Sequence, residues 1–375
     1  MFVLLLLALT LVATGCSSGT DDGGDADTTT TTTGDDASES DASGASEPAD
    51  TDNTASGDSA GGTLQEVQDR GTLNCGINGV LAGFSINEGG EYSGFDVDYC
   101  KAVAAAILDD PEAVEYVELD ADTRFTALQS GEVDVLIRNS TWSASRDGDL
   151  GLDWTQTTFY DGQGMVVRKD DGFTTLDDMQ NTVICVQSGT TTELNLATVF
   201  QARGIDYEPE LNPDQEVLTG RFEDGACDGY TTDRSGLASF LTTAENPDDY
   251  VILEEIMSKE PLGPAVRSGD SEWRDAINWV VFATIQAEEF ELTQGNIASY
   301  DGEDPEILRF IGEGVEEGVK FQAGLNLPDD FAVKVVEAVG NYGEIYDRNV
   351  APLGLDRGLN SLWSDGGLLY APPYR

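Results

Sequence analysis

Three parts of this 375-residue sequence carry side chains that could hold a small polar molecule. Arg138 ends the apolar run Val133-Asp134-Val135-Leu136-Ile137, which reads as a buried strand, and Arg146 follows eight residues later. A guanidinium is planar, forked and permanently charged, so it pairs well with a carboxylate. Ser188-Gly189-Thr190-Thr191 lies between a strand, Thr182 to Gln187, and a helix running toward Ala202. Free backbone N–H groups and the helix dipole favour an anion there, and the threonine hydroxyls add donors. The same threonines could also serve simply as helix caps. Asp233 closes Asp228-Gly229-Tyr230-Thr231-Thr232-Asp233 at the carboxyl end of a third strand, where open α/β sheets bind ligands. The sequence contains no His, which removes His-based triads and His-ligated metals, and no CxxC spacing suggests zinc or a redox pair. The chemistry on offer is holding, with no metal and no cofactor expected.

The elements that must position these groups alternate between strand and helix. Thr72 to Asn78 reads as a buried strand, followed by a loop from Gly79 to Glu91 that contains Gly83-Phe84-Ser85. Asp96 is placed to cap a helix whose apolar positions Val97, Cys100, Val103, Ala104 and Ile107 recur at spacings of three and four. Val114 to Leu119 and Gly164 to Arg168 are further strands, with a short helix over Asp122 to Ser130. The same grammar then restarts at Thr182 and ends near Val251-Ile252-Leu253, before a long amphipathic helix begins at Ser271. Such alternation implies an α/β protein with mostly parallel sheets. A second copy inserted within the first implies two lobes, joined by crossing strands near 163–168 and 262–267. The cleft between lobes is then the expected site.

Charge and leader composition narrow the setting. The chain has 71 acidic against 19 basic residues, a formal charge of −52, which argues against a nucleic-acid partner. The acids are scattered, so they read as a highly charged surface rather than a funnel for cations. Residues 1–15 form an apolar run ending Ala13-Thr14-Gly15, which reads as a signal peptide too short to span a bilayer stably. The small residues before Cys16 resemble a bacterial lipobox, in which that cysteine is acylated. Residues 16–62 are rich in Asp, Ser, Thr and Gly and read as a disordered acidic tether. Four other cysteines remain, an even number suited to an exported chain, and they allow three pairings. Chain order favours Cys75–Cys100 and Cys185–Cys227, each pair within one lobe.

The motifs Arg124-Phe125-Thr126-Ala127-Leu128-Gln129-Ser130-Gly131-Glu132, Arg138-Asn139-Ser140-Thr141-Trp142 and Ser188-Gly189-Thr190-Thr191-Thr192-Glu193 resemble the polar amino-acid-binding proteins of ABC importers. Tyr160-Asp161-Gly162-Gln163-Gly164, Gly340-Asn341-Tyr342-Gly343-Glu344 and the tail Leu369-Tyr370-Ala371-Pro372-Pro373 are similar, more narrowly, to the general L-amino acid-binding proteins. The resemblance covers about 72–375. It implies a two-lobed type II periplasmic-binding fold with a helical C-terminal extension, divided as 63–165 and 263–375 for the first lobe and 166–262 for the second. It further implies that Arg146 holds a ligand α-carboxylate with help from Thr191 and Thr190, and that Asp233 holds the ammonium. Asn139 and Thr141 would add polar contacts, and Arg138 would line the cleft or face the ligand side chain. The position of Phe84 after Gly83 in the first loop suits packing on the ligand's aliphatic part, and equally a place in the core. Leu81 stands where polar amino-acid binders commonly place an aromatic, which favours broad over cation-selective binding. The implied function is that of a monomeric, extracytoplasmic, lipid-anchored receptor, which captures free L-amino acids by hinge closure and delivers them to an ABC permease. The alternative is an enzyme on the same fold, resembling the prephenate or cyclohexadienyl dehydratases.

Overall fold

The computed structural model describes residues 62–314 and 324–375. The signal segment, Cys16 and the tether as far as residue 61 lie outside the described residues.

Two five-stranded sheets build the two lobes. In the first, Val114–Glu118, Leu73–Ile77 and Val135–Leu136 run parallel, and Ala265–Arg267 returns antiparallel between Val135–Leu136 and Leu152–Trp154. In the second, Tyr207–Asn212, Thr182–Gln187 and Gly229–Asp233 are parallel, and Gln163–Arg168 returns antiparallel beside Tyr250–Ile252. The inner strands are apolar and buried, as sheets covered by helices on both faces require.

The crossing lies upstream of the two segments expected to form it. Gln163–Arg168 belongs to the second sheet and Ala265–Arg267 to the first. The lobes are joined instead where Phe159–Asp161 pairs antiparallel with Glu260–Leu262, with Glu260 opposite Asp161. The apolar runs marked sheet core; the crossing strands are short and carry carboxylates, so they show no strand period.

Helix Phe95–Leu108 packs against the first sheet and against helices Ser271–Glu289 and Phe331–Val339. Its cap is Gly94, not Asp96. A Cβ on Gly94 would stand 2.2 Å from the Phe84 carbonyl oxygen, and its φ of +131° already favours glycine. Asp96 sits in the first turn, buried, with its carboxylate accepting the Asn139 N–H at 2.9 Å. The expected loop over 79–91 folds as a small antiparallel meander, Val80–Leu81, Ser85–Glu88 and Glu91–Ser93. Cys75–Cys100 ties the first sheet to its helix, and Cys185–Cys227 closes the second lobe.

The C-terminal extension braces the crossing. Tyr342 donates its hydroxyl proton to the Thr158 carbonyl at 2.8 Å. Asn360 accepts the Tyr160 N–H at 2.7 Å and donates to the Tyr160 carbonyl at 3.1 Å, in the manner of a neighbouring strand. Tyr374 anchors the end of the chain among Trp279, Phe310 and Phe331.

Candidate functional site

The carboxyl ends of both sheets meet at the crossing, and polar side chains gather there. Arg138, just past Val135–Leu136, is buried and donates through Nε to the Leu119 carbonyl at 2.7 Å. Burial pushes its guanidinium down to about 10. Arg138 lines a cavity of about 270 Å³ between lobes, with Asn78 and Asp120 on one side and Gln187 and Pro213 on the other. Asn139 takes a φ of +30°, held by its N–H bond to Asp96, and its side-chain oxygen accepts from Asn78 at 3.4 Å.

Arg146 lies in the short helix Ala144–Asp149, only 8% exposed. Its Nη1 donates to the Thr141 carbonyl at 2.9 Å, and its guanidinium sits 4.9 Å over the Phe125 ring. Burial pushes it down to about 10, opposed by the charges of Glu260 and Asp233. Beside it, a cavity of about 380 Å³ is lined by Phe125, Arg146, Thr190 and Thr191.

From the second lobe, Thr190 caps helix Thr191–Arg203 by accepting the Glu193 N–H. Its own proton goes to the Gln187 carbonyl at 2.6 Å. Its hydroxyl is therefore occupied locally, and the capping role is the one its geometry supports. Thr191 instead points across the cleft, with its hydroxyl 3.3 Å from that of Thr141. Asp233 ends strand Gly229–Asp233, 6% exposed, and makes no side-chain cap bond to the helix that follows. Its Oδ1 is buried without a hydrogen-bond partner among the described residues. Burial raises this acid well above the usual carboxylate range, as do the nearby charges of Asp161 and Glu260, while Arg146 and Arg124 oppose the rise.

Phe84 stands apart from this cluster. It is fully buried in the first lobe's core, edge-on to Phe159 at 5.2 Å and tilted against Phe95. Its place after Gly83 in a loop leaves a ligand contact and plain core both open, and the meander turns the ring into the core.

Three residues of the cluster were not anticipated. Arg124 is 3% exposed and lies 4.7 Å over the Phe125 ring that Arg146 also covers, and its Nε has no partner among the described residues. Burial lowers it well below the ordinary arginine value, and Arg138 and Arg146 add to this. Asp161 is raised to about 6 by burial, with the charge of Glu260 adding to the rise, although Ser235 and the Gly162 N–H bond it. Glu260 is 1% exposed and accepts from Thr141 at 2.6 Å, Thr191 at 2.9 Å and Asn195 at 2.8 Å, and also from Ser258. Arg124 opens a motif already singled out by resemblance, so its type was visible. Nothing in Ser258-Lys259-Glu260-Pro261 marks Glu260, because its meaning comes from a pairing across the hinge.

The whole is a buried cleft with guanidiniums from the first lobe and carboxylates from the second lobe and the crossing. Such a cleft suits a small molecule bearing both charges. Among the described residues no cluster of His, Cys, Asp or Glu is placed to hold a metal ion, and no helix is long and apolar enough to cross a membrane.

Two doubly connected α/β lobes with a polar cleft at the crossing define the type II periplasmic-binding class. The chain belongs to the bacterial extracellular solute-binding proteins, family 3, whose pattern matches residues 73–321. It is 48% identical to the general L-amino acid-binding periplasmic protein AapJ of Rhizobium johnstonii, over 84% of this chain and 93% of that relative. It is also 48% identical to the glutamate/glutamine/aspartate/asparagine-binding protein BztA of Rhodobacter capsulatus, over 85% of this chain and 95% of the relative. Among solved structures, an ABC transporter periplasmic binding protein from Brucella ovis with glutathione bound is 47% identical. It superposes with a TM-score of 0.80 over 84% of this chain and 99% of that one.

Proposed function

We propose that this protein captures free L-amino acids outside the cytoplasm and presents them, lobes closed, to the permease of an ABC importer. The observation that carries this reading is the buried, oppositely charged pair that the two lobes bring to one cleft, Arg146 from one and Asp233 from the other. A zwitterion supplies a partner for each, a carboxylate for the Arg146 guanidinium and an ammonium for the Asp233 carboxylate that burial otherwise disfavours. Arg146 takes the α-carboxylate. Asp233, with its free Oδ1, takes the ammonium. Thr141 and Thr191 complete the polar wall, and Arg138 lines the space for the ligand side chain. Relatives described as amino-acid-binding proteins over nearly their whole length support binding over dehydration.

The mechanism is a population shift. Contacts divided between lobes stabilise the closed form in proportion to the ligand's preference for it, and the permease reads that form. In this reading residues 1–15 direct export, acylated Cys16 anchors the chain, and the acidic stretch that follows tethers the body near its permease. Calorimetry with a panel of free L-amino acids tests the proposal. Saturable binding at micromolar concentration or below, without conversion of the ligand, is expected; turnover, or no heat with any amino acid, would overturn it.

A further inference from the structure

Glu260 is the most connected side chain in the cleft, and the proposed function leaves it without a role. It lies on the second crossing strand, Glu260–Leu262, where the lobes join. One of its oxygens, Oε2, receives both the Thr141 hydroxyl of the first lobe, at 2.6 Å, and the Thr191 hydroxyl of the second, at 2.9 Å. The other, Oε1, receives the Asn195 amide at 2.8 Å and the Ser258 hydroxyl. Asn195 lies one turn along the helix that Thr191 begins, so two of these bonds fasten that helix to the crossing.

A carboxylate only accepts, and a threonine hydroxyl has one proton to give. With that proton committed to Glu260, each threonine faces the cleft with lone pairs alone. It can then accept from an ammonium but cannot donate to a carboxylate. This reverses the role expected for Thr191 and leaves the ligand's anion to Arg146.

We propose that Glu260 is the positioning residue of the cleft, at once a latch that joins the lobes through Thr141 and Thr191 and the group that turns both hydroxyls into ammonium acceptors. The inference rests on the amino-acid-binding reading for its ligand, but the latch is a property of the fold. The Thr141–Glu260–Thr191 bridge exists only when the lobes are closed, so removing it speeds opening and leaves the encounter with an open lobe unchanged. Hydrogen bonds to a buried charged group are strong enough that losing both costs about tenfold or more in affinity.

The test uses wild type, Glu260→Ala, Glu260→Gln and the double variant Thr141→Val/Thr191→Val. Stopped-flow fluorescence measures ligand association and release, with L-glutamine and L-alanine as probes and their 2-hydroxy acid counterparts as controls. Glu260→Ala is expected to raise the release rate about tenfold or more with association unchanged. It should also narrow the preference for the amino acid over the hydroxy acid. Glu260→Gln keeps an acceptor oxygen for both threonines and should recover much of the slow release. A residue that matters only for folding would lower the melting temperature without moving the release rate or the amine preference, and that result overturns the proposal. Should Glu260→Ala fail to fold, the double threonine variant keeps the carboxylate and must still release ligand faster; unchanged release sinks the latch. If wild type binds none of the probes, the amino-acid reading fails first. The latch also holds a share of the ligand-free molecules closed, so small-angle scattering without ligand then decides it: Glu260→Ala must have a larger radius of gyration than wild type, and equal radii overturn it.

Discussion

At the cleft, charges that water would otherwise solvate are held in place by the fold, and each is exposed to a particular loss. Arg146 is buried over an aromatic ring with one bond to a backbone carbonyl, which leaves most of its fork for a ligand. Arg146→Ala should remove binding of every L-amino acid alike, by about a hundredfold or more, because the α-carboxylate is common to all. A titration panel in which that variant only reorders ligand preference would reassign the residue. Asp233→Asn should cost amino acids far more than the matching deaminated acids, and equal losses would take Asp233 out of the ammonium site. The acids also set a pH dependence. Burial raises Asp161 from 3.8 to about 6 and holds Asp233 well above the usual carboxylate range, so the protonated forms favour the fold. That contribution to stability is complete below the unfolded value and is lost as pH rises through the folded one. The ligand-free protein should therefore melt higher at about pH 5 than at about pH 7.5, while an L-amino acid, whose ammonium compensates the ionised acids, should raise the melting temperature more at the higher pH. Asp161→Asn should flatten the ligand-free slope; scanning calorimetry that shows the same slope in the variant would assign it to other groups.

Elements explain why part of this site could be read from the chain and part could not. Thr182–Gln187 and helix Thr191–Arg203 announce themselves as an apolar run, a Ser-Gly-Thr turn and a capped helix, and they carry Thr191 to the cleft. Asp233 was legible in the same way, as an acid at the end of a buried strand. The strand Tyr207–Asn212 lies at a sheet edge and has the sequence Tyr-Glu-Pro-Glu-Leu-Asn, with no apolar alternation to reveal it. Phe159–Asp161 and Glu260–Leu262 are three residues each, and only their pairing with one another makes them strands. Glu260 was hidden for that reason: its partners are 119 and 69 residues away in the chain. The crossing also depends on Asn360, which satisfies both backbone polar groups of Tyr160. Asn360→Ala strands a partly buried N–H and C=O, so chemical denaturation should show a loss of about 2 kcal/mol. Ligand release should quicken as well, because the first crossing strand loses its brace. A stability loss with unchanged release kinetics would confine Asn360 to packing.

Over the whole molecule, the surplus of negative charge acts on the fold and spares the cleft. Beyond residue 62 the chain carries 59 acidic against 19 basic side chains. Many of the cations are already paired, as in Arg348–Asp98, Arg203–Glu255 and Lys334–Asp109, so the excess acids face one another through solvent. Their repulsion reaches across the surface at low salt, where the screening length is about 30 Å at 0.01 M, and shrinks to about 3 Å at 1 M. Self-repulsion of this kind opposes the compact state. The groups proposed to hold the ligand are buried, where salt screens little, and a zwitterion brings no net charge to steer. Raising sodium chloride from about 0.01 M to about 1 M should therefore lift the melting temperature by several degrees while changing amino-acid affinity less than about threefold. Thermal melts and calorimetric titrations on the same samples separate the two effects. A large fall in affinity with salt would mean that the ligand's charges are held at the surface, and the buried clamp of Arg146 and Asp233 would have to be abandoned.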